Sequence, residues 1–89
     1  GLRPDRTVPS LDDDEKRDLY FAIFQVLHKA VRFGGLSGNG WTLTGKAGGF
    51  ERFAAVLGCD GLSCPACHSR VRQVVLGRRS SFYCPRCQR

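Results

Sequence analysis

Cys64-Pro65-Ala66-Cys67-His68-Ser69-Arg70-Val71-Arg72-Gln73-Val74-Val75-Leu76-Gly77-Arg78-Arg79-Ser80-Ser81-Phe82-Tyr83-Cys84-Pro85-Arg86-Cys87 is the stretch that decides the fold. It reads C-x2-C, sixteen residues, C-x2-C. Two residues between cysteines let a tight turn aim both sulfurs at one point. Two such knuckles brought together place four thiolates at the corners of a tetrahedron, as zinc prefers. Pro65 and Pro85 stiffen the two turns. Between the knuckles Val71 to Leu76 is a β-rich run, Gly77-Arg78-Arg79-Ser80 a turn, and Ser81-Phe82-Tyr83 the return strand of a hairpin. The expected centre is one structural Zn2+ held by Cys64, Cys67, Cys84 and Cys87, closed off by its four ligands.

Paired C-x2-C motifs also occur as disulfides or redox dithiols. Disulfides are disfavoured by a leftover fifth cysteine, Cys59, and by a first ten residues without the apolar run of a secretory signal. A thioredoxin-type site needs one C-x2-C on a βαβ scaffold, and no such pattern is present. Cys59 lies five residues before Cys64, too far for the same knuckle, and reads as a small, partly buried residue. His68 follows a ligand directly and reads as a bystander, because four cysteines already fill the site.

Outward from the finger, the charge is uneven. The chain has 89 residues, 14 Lys+Arg, 8 Asp+Glu and a formal charge of +6. Residues 1–33 balance six basic against six acidic side chains, residues 34–59 carry +1, and residues 60–89 carry six arginines against Asp60 alone, for +5. All the basic residues of that last segment are Arg, whose planar fork binds phosphate through two hydrogen bonds. Arg78 and Arg79 at the hairpin tip, beside Ser80 and Ser81 and with Arg70, Arg72 and Arg86 close in sequence, form a rigid set of phosphate donors. Phosphate contact gives affinity and register without reading sequence.

Upstream, residues 1–10 hold Pro4 and Pro9 and no period, and read as a lead-in strap. A helix follows within 11–35, with Asp12 and Glu15, or Ser10 and Asp13, at capping-box spacing. Leu19, Ala22, Ile23, Val26, Leu27, Ala30 and Val31 recur at steps of three and four, and Gly34-Gly35 closes the helix. Tyr20, Phe21 and Phe24 widen the apolar surface beyond one stripe. The helix therefore expects neighbours that 89 residues scarcely supply, or self-association through that face. Gly1 in place of Met likewise points to a piece of something longer. Residues 36–58 form a glycine-rich loop and a short element: seven of the sixteen residues from Gly34 to Gly49 are glycine. Trp41 sits in a possible extended piece, Trp41-Thr42-Leu43-Thr44, and reads as an anchor of the loop more than as a base-stacking residue. Phe50 to Leu57 suits a helix or a short strand equally. A domain this short buries only about 60–65% of its unfolded surface, so the finger of residues 59–89 is expected to need its metal staple. No run of about 18 apolar residues is present to form a membrane span.

The run Gly77-Arg78-Arg79-Ser80-Ser81-Phe82-Tyr83-Cys84-Pro85-Arg86-Cys87-Gln88 resembles the C-terminal zinc finger of the formamidopyrimidine-DNA glycosylase and endonuclease VIII family. Val56, Gly58, Gly61 and Cys64 fit the approach to the first knuckle, and Gly1-Leu2-Arg3-Pro4, the Ser10-Leu11 helix start and Gly34-Gly35 fit the segment before it. The resemblance implies a small α plus zinc-ribbon β-hairpin fold. It implies a base-excision-repair parent, a DNA glycosylase and AP lyase whose terminal proline amine attacks the deoxyribose of a damaged nucleotide. Double-stranded DNA, damaged or abasic, is the implied partner, and the cytoplasm and nucleoid, or a nucleus, the implied location. Arg79 would grip phosphates beside the flipped nucleotide, with Ser81 next to it and Arg78, Arg72 and Gln88 as further contacts. The catalytic proline, the β-sandwich and the helix-two-turn-helix of the family are expected upstream of Gly1. The 89 residues are therefore expected to bind DNA weakly and to catalyse nothing. Cys59 stands where a basic residue is common, and Ala66 where Arg is frequent, which weakens the phosphate grip. Two other readings remain: the related finger of isoleucyl-tRNA synthetases, with tRNA as partner, and a zinc ribbon for protein contacts. The helix and glycine-rich segment favour the glycosylase.

Overall fold

Strand β1, Arg72–Leu76, and strand β2, Arg79–Tyr83, pair antiparallel, with Arg72 opposite Tyr83 and Leu76 opposite Arg79. The computed structural model that shows this describes residues 1–36 and 48–89. Trp41 and its extended piece lie outside the described residues. The hairpin turn is tighter than the sequence reading: Gly77 and Arg78 alone form it, and Arg79 and Ser80 already belong to β2. Both turn residues have positive φ, 54° and 68°, the two-residue geometry whose twist matches that of the flanking strands.

The interior of this unit is built from the ligand cysteines themselves. Cys64, Val71 and Cys84 form one buried cluster, with half-buried Val56, Cys59, Cys67 and Phe82 packed against it. Leu11 and Tyr83 are the other buried apolar side chains among the described residues. Below the hairpin, Ser63 and Arg70 make an isolated antiparallel bridge.

Residues 1–16 and 55–89 form one compact unit, so the strap is part of the finger's structure. The Arg89 amide donates to the Gly1 carbonyl at 2.9 Å, and the Arg3 amide donates to the Arg89 carbonyl at 3.1 Å. The two bonds flank Leu2 in the pattern of a parallel bridge. Arg6 fastens the next turn: it donates to the Ser10 carbonyl at 2.8 Å, to Glu15 Oε2 at 2.9 Å and to the Arg89 carbonyl at 3.2 Å. Val8–Ser10, with Pro9, is a short 3-10 turn.

Helix α1 runs Asp13–Arg32. Of the two capping spacings, Asp12 with Glu15 is the one used: Asp12 Oδ1 accepts the Glu15 amide at 2.8 Å, and Glu15 Oε2 accepts the Asp12 amide at 3.1 Å. Asp13, Asp14 and Glu15 occupy the first turn and Lys29 and Arg32 the last, each sign matching the helix dipole. Gly34 and Gly35 end the helix as the sequence indicates. The Gly35 amide reaches the Ala30 carbonyl and the Gly34 amide the Val31 carbonyl, with Gly34 at φ 76°, which is a Schellman closure.

Residues 17–54 form the second unit. Phe50–Phe53 is a 3-10 turn, and Ala55 to Leu57 form no strand, which resolves the ambiguous stretch as neither α-helix nor strand. The Gly49 amide donates to the Phe33 carbonyl and the Phe50 amide to the Gly35 carbonyl. A Cβ on Gly48 would collide with the Gly35 carbonyl oxygen, so only glycine fits that approach. The Phe33 and Phe53 rings meet at a tilt of 49° with centroids 4.7 Å apart, and Lys29 Nζ lies 3.7 Å over the Phe53 ring. No side chain of α1 is buried. Tyr20, Phe21, Ile23, Phe24, Val26, Leu27 and Val31 are all exposed. Among the described residues, no helix is long and apolar enough to cross a membrane.

Candidate metal centre and nucleic-acid interface

Each C-x2-C knuckle is closed by one backbone bond. The His68 amide donates to the Cys64 carbonyl at 2.9 Å, and the Gln88 amide donates to the Cys84 carbonyl at 2.9 Å. The four sulfurs of Cys64, Cys67, Cys84 and Cys87 consequently lie within 4.8 Å of one another. Cys64 Sγ is 4.0 Å from Cys87 Sγ, and Cys67 Sγ is 3.4 Å from Cys84 Sγ. A tetrahedron with Zn–S bonds of about 2.3 Å has edges of about 3.8 Å, so the donor set fits zinc in number, element and spacing. A disulfide needs about 2.0 Å, and all five cysteines are free. The centre is that of one structural zinc ion.

Without a cation the four thiols cannot ionise together, because like charges oppose each other at this range. Bonds from the Ser69 hydroxyl and amide draw the Cys67 thiol down to about 6. The amides of Ala66 and Cys67 lower Cys64. Cys87, facing Cys67 and Cys84, is pushed up to about 12. Cys64 and Cys84 are buried, whereas Cys87 is exposed. His68 adopts φ 62° and stays outside the sulfur cluster. Half-buried Cys59 donates its thiol to the Leu57 carbonyl at 3.5 Å and is likewise outside the cluster.

Cross-strand register sorts the hairpin's side chains. Paired residues of an antiparallel ladder share a face, so Arg72, Val74 and Leu76 lie with Tyr83, Ser81 and Arg79. Arg72, Ser81 and Arg79 thus run along one face toward the tip, where Arg78 sits. The opposite face carries Gln73, whose amide donates to Ser80 Oγ at 2.8 Å. Arg70, Arg72, Arg78, Arg79 and Arg86 are all exposed. Among the described residues none of the five has an acidic partner. The strap arginines differ: Arg3 pairs with Asp5 at 2.7 Å and Arg6 with Glu15 at 2.9 Å. Four thiolates and Zn2+ together contribute −2, which leaves the metal-loaded segment 60–89 at about +3.

Gln88, grouped by sequence with the DNA contacts, is turned inward. Its Oε1 accepts the Cys84 amide at 2.8 Å, and its Nε2 donates to the Leu2 carbonyl at 2.9 Å. The reading of the residues missed this bond, since nothing local links position 88 to position 2.

Residues 61–89 match the family described as the zinc finger found in FPG and IleRS. That segment is therefore a four-cysteine zinc finger similar to those of that family. Over nearly its whole length the chain is similar to the C-terminal zinc-finger region of formamidopyrimidine-DNA glycosylases. It is 40% identical over 90 residues to the Thioalkalivibrio sulfidiphilus enzyme, covering 100% of this chain and 33% of that one. Identity to the Thermus thermophilus enzyme is 42% over 90 residues, covering 98% of this chain and 34% of that one. The solved Thermus thermophilus MutM (FPG) structure matches with a TM-score of 0.86 at 40% identity, over 98% of this chain and 34% of that chain. Lactococcus lactis Fpg in complex with DNA containing an abasic site matches with a TM-score of 0.85 at 25% identity, over 98% of this chain and 32% of that chain. The chain thus spans about a third of the length of these relatives. The likeness takes in α1 as well as the finger, so the isoleucyl-tRNA synthetase alternative is not favoured.

Proposed function

We propose that this chain is the zinc-finger part of a base-excision-repair DNA glycosylase and AP lyase, and that its hairpin grips the phosphate backbone of damaged or abasic duplex DNA. The observation that carries this reading is the set of exposed arginines without acidic partners on a metal-braced hairpin. Unpartnered guanidinium groups on a rigid turn are ready phosphate ligands. The relatives named above support it, including the one bound to abasic-site DNA. In this reading Arg79 and Arg78 reach the phosphates, with Ser81 and Arg72 beside them. Gln88 contributes through the shape of the second knuckle. Base excision belongs to the portion of the relatives that lies outside these residues, and the protein works in the cytoplasm and nucleoid.

The test is binding of the zinc-loaded chain to an abasic-analogue duplex by fluorescence anisotropy across a salt series. Affinity should fall with salt at a log–log slope of about −0.9 per phosphate contacted. Arg79→Ala should weaken binding about tenfold or more, as expected for a lost charged hydrogen bond, and make the slope shallower by about one. Unchanged affinity would remove Arg79 from the interface, and salt-independent binding would favour a ribbon made for protein contacts.

A further inference from the structure

The two knuckles satisfy the same backbone donor by different means. In the first, the amide of the leading cysteine, Cys64, donates to the Ser69 carbonyl at 2.8 Å. In the second, the amide of Cys84 donates to a side chain, Gln88 Oε1, at 2.8 Å. The other end of that same planar amide donates to the Leu2 carbonyl at 2.9 Å, 86 residues away in sequence. An amide is rigid, so its two ends move together. Leu2 is held on both sides by the Gly1 and Arg3 bonds to Arg89. The Arg3 guanidinium, gripped by Asp5, lies 4.9 Å over the ring of buried Tyr83, the residue before Cys84. Strap and ligand knuckle are thus joined through one side chain.

We propose that Gln88 is a positioning residue that couples the N-terminal strap to the second zinc knuckle, so that residues 1–6 set how firmly the finger retains its metal. Zinc itself holds the four sulfurs when bound. Gln88 keeps the Cys84 amide satisfied and the knuckle closed, and the strap keeps Gln88 in place. This inference is independent of DNA binding, because both of its readouts are made without DNA.

Two substitutions reach the coupling from opposite ends. Gln88→Glu retains an oxygen for the Cys84 amide but sets a carboxylate against the Leu2 carbonyl. Arg6→Lys leaves the knuckle untouched and removes the fork that holds the Arg89 carbonyl and Ser10. Zinc release is followed with a chromophoric chelator, and exchange of the Arg3 and Arg89 amides by NMR. Each variant should speed both amide exchange and zinc release by about three- to tenfold, the scale of one lost hydrogen bond. The double variant should release zinc little faster than the faster single variant, because a strap already freed cannot be freed again. Gln88→Ala, which loses both bonds, should be fastest. If it fails to load zinc, the other two carry the test. Zinc release at the wild-type rate in either Gln88→Glu or Arg6→Lys overturns the coupling, as does unaltered exchange at Arg3 and Arg89. Fully multiplicative effects in the double variant overturn it too.

Discussion

Replacing Cys84 by serine should unfold residues 59–89 as completely as a chelator does. Cys84 is 1% exposed and its sulfur stands 3.4 Å from that of Cys67, at the centre of the cluster. Apart from the cysteines, the buried apolar side chains among the described residues are Leu11, Val71 and Tyr83. At about 1.5–3 kcal/mol for each such side chain, they supply less than about 10 kcal/mol before the entropy of ordering the chain is set against them. A structural zinc supplies about 10–16 kcal/mol at neutral pH. The metal therefore outweighs the apolar interior. The assay is one zinc per chain by metal analysis, together with the dispersed amide signals of Arg72 to Tyr83. Both should vanish in Cys84→Ser, while Cys59→Ser keeps both, since the Cys59 sulfur lies outside the four-sulfur cluster and bonds the Leu57 carbonyl. Dispersed hairpin signals in metal-free protein would refute the reasoning. So would equal zinc loss in Cys59→Ser.

Glu15 offers a test by pH. The Asp12 amide first, and Arg6 second, hold its carboxyl below the ordinary carboxylate value. Its stabilisation is therefore present above the unfolded value of about 4.3 and is lost as pH falls through the lower folded value. Wild type should exceed Glu15→Gln in urea resistance at pH 7, with the gap narrowing on acidification; a gap independent of pH would show that the carboxylate charge is irrelevant. Arg78 sits at φ 68°, a conformation that costs a non-glycine residue about 1–2 kcal/mol. Arg78→Gly should accordingly raise the melting temperature of the zinc-loaded protein while weakening DNA binding, and a lowered melting temperature would contradict the turn geometry. The apolar side of α1, with Phe21, Phe24 and Leu27 between 56% and 59% exposed, should make the 89-residue chain associate as its concentration rises. Phe24→Lys should suppress that association in sedimentation, and a wild-type chain that stays monomeric throughout would overturn the expectation.

What the sequence determined by itself is local. The two C-x2-C pairs name the metal ligands because two residues leave a cysteine pair a single tight turn, and the β-rich run from Val71 to Leu76, the turn residues after it and Ser81-Phe82-Tyr83 indicate a hairpin. Asp12 with Glu15 and Gly34 with Gly35 mark the ends of α1, because capping bonds span only three to five residues. The arginine excess of the last segment is likewise visible as plain counting. The tertiary structure alone decided the rest. It shortened the turn to Gly77 and Arg78, whose positive φ at both positions matches the twist of the strands. It placed Arg72, Ser81 and Arg79 on one face, a matter of register that depends on where the ladder starts. It also turned Gln88 onto the Cys84 amide and the Leu2 carbonyl and so joined the strap to the finger across more than eighty residues. Those bonds follow from chain closure around the sulfur cluster, which brings together backbone groups that no periodicity or spacing in the sequence connects.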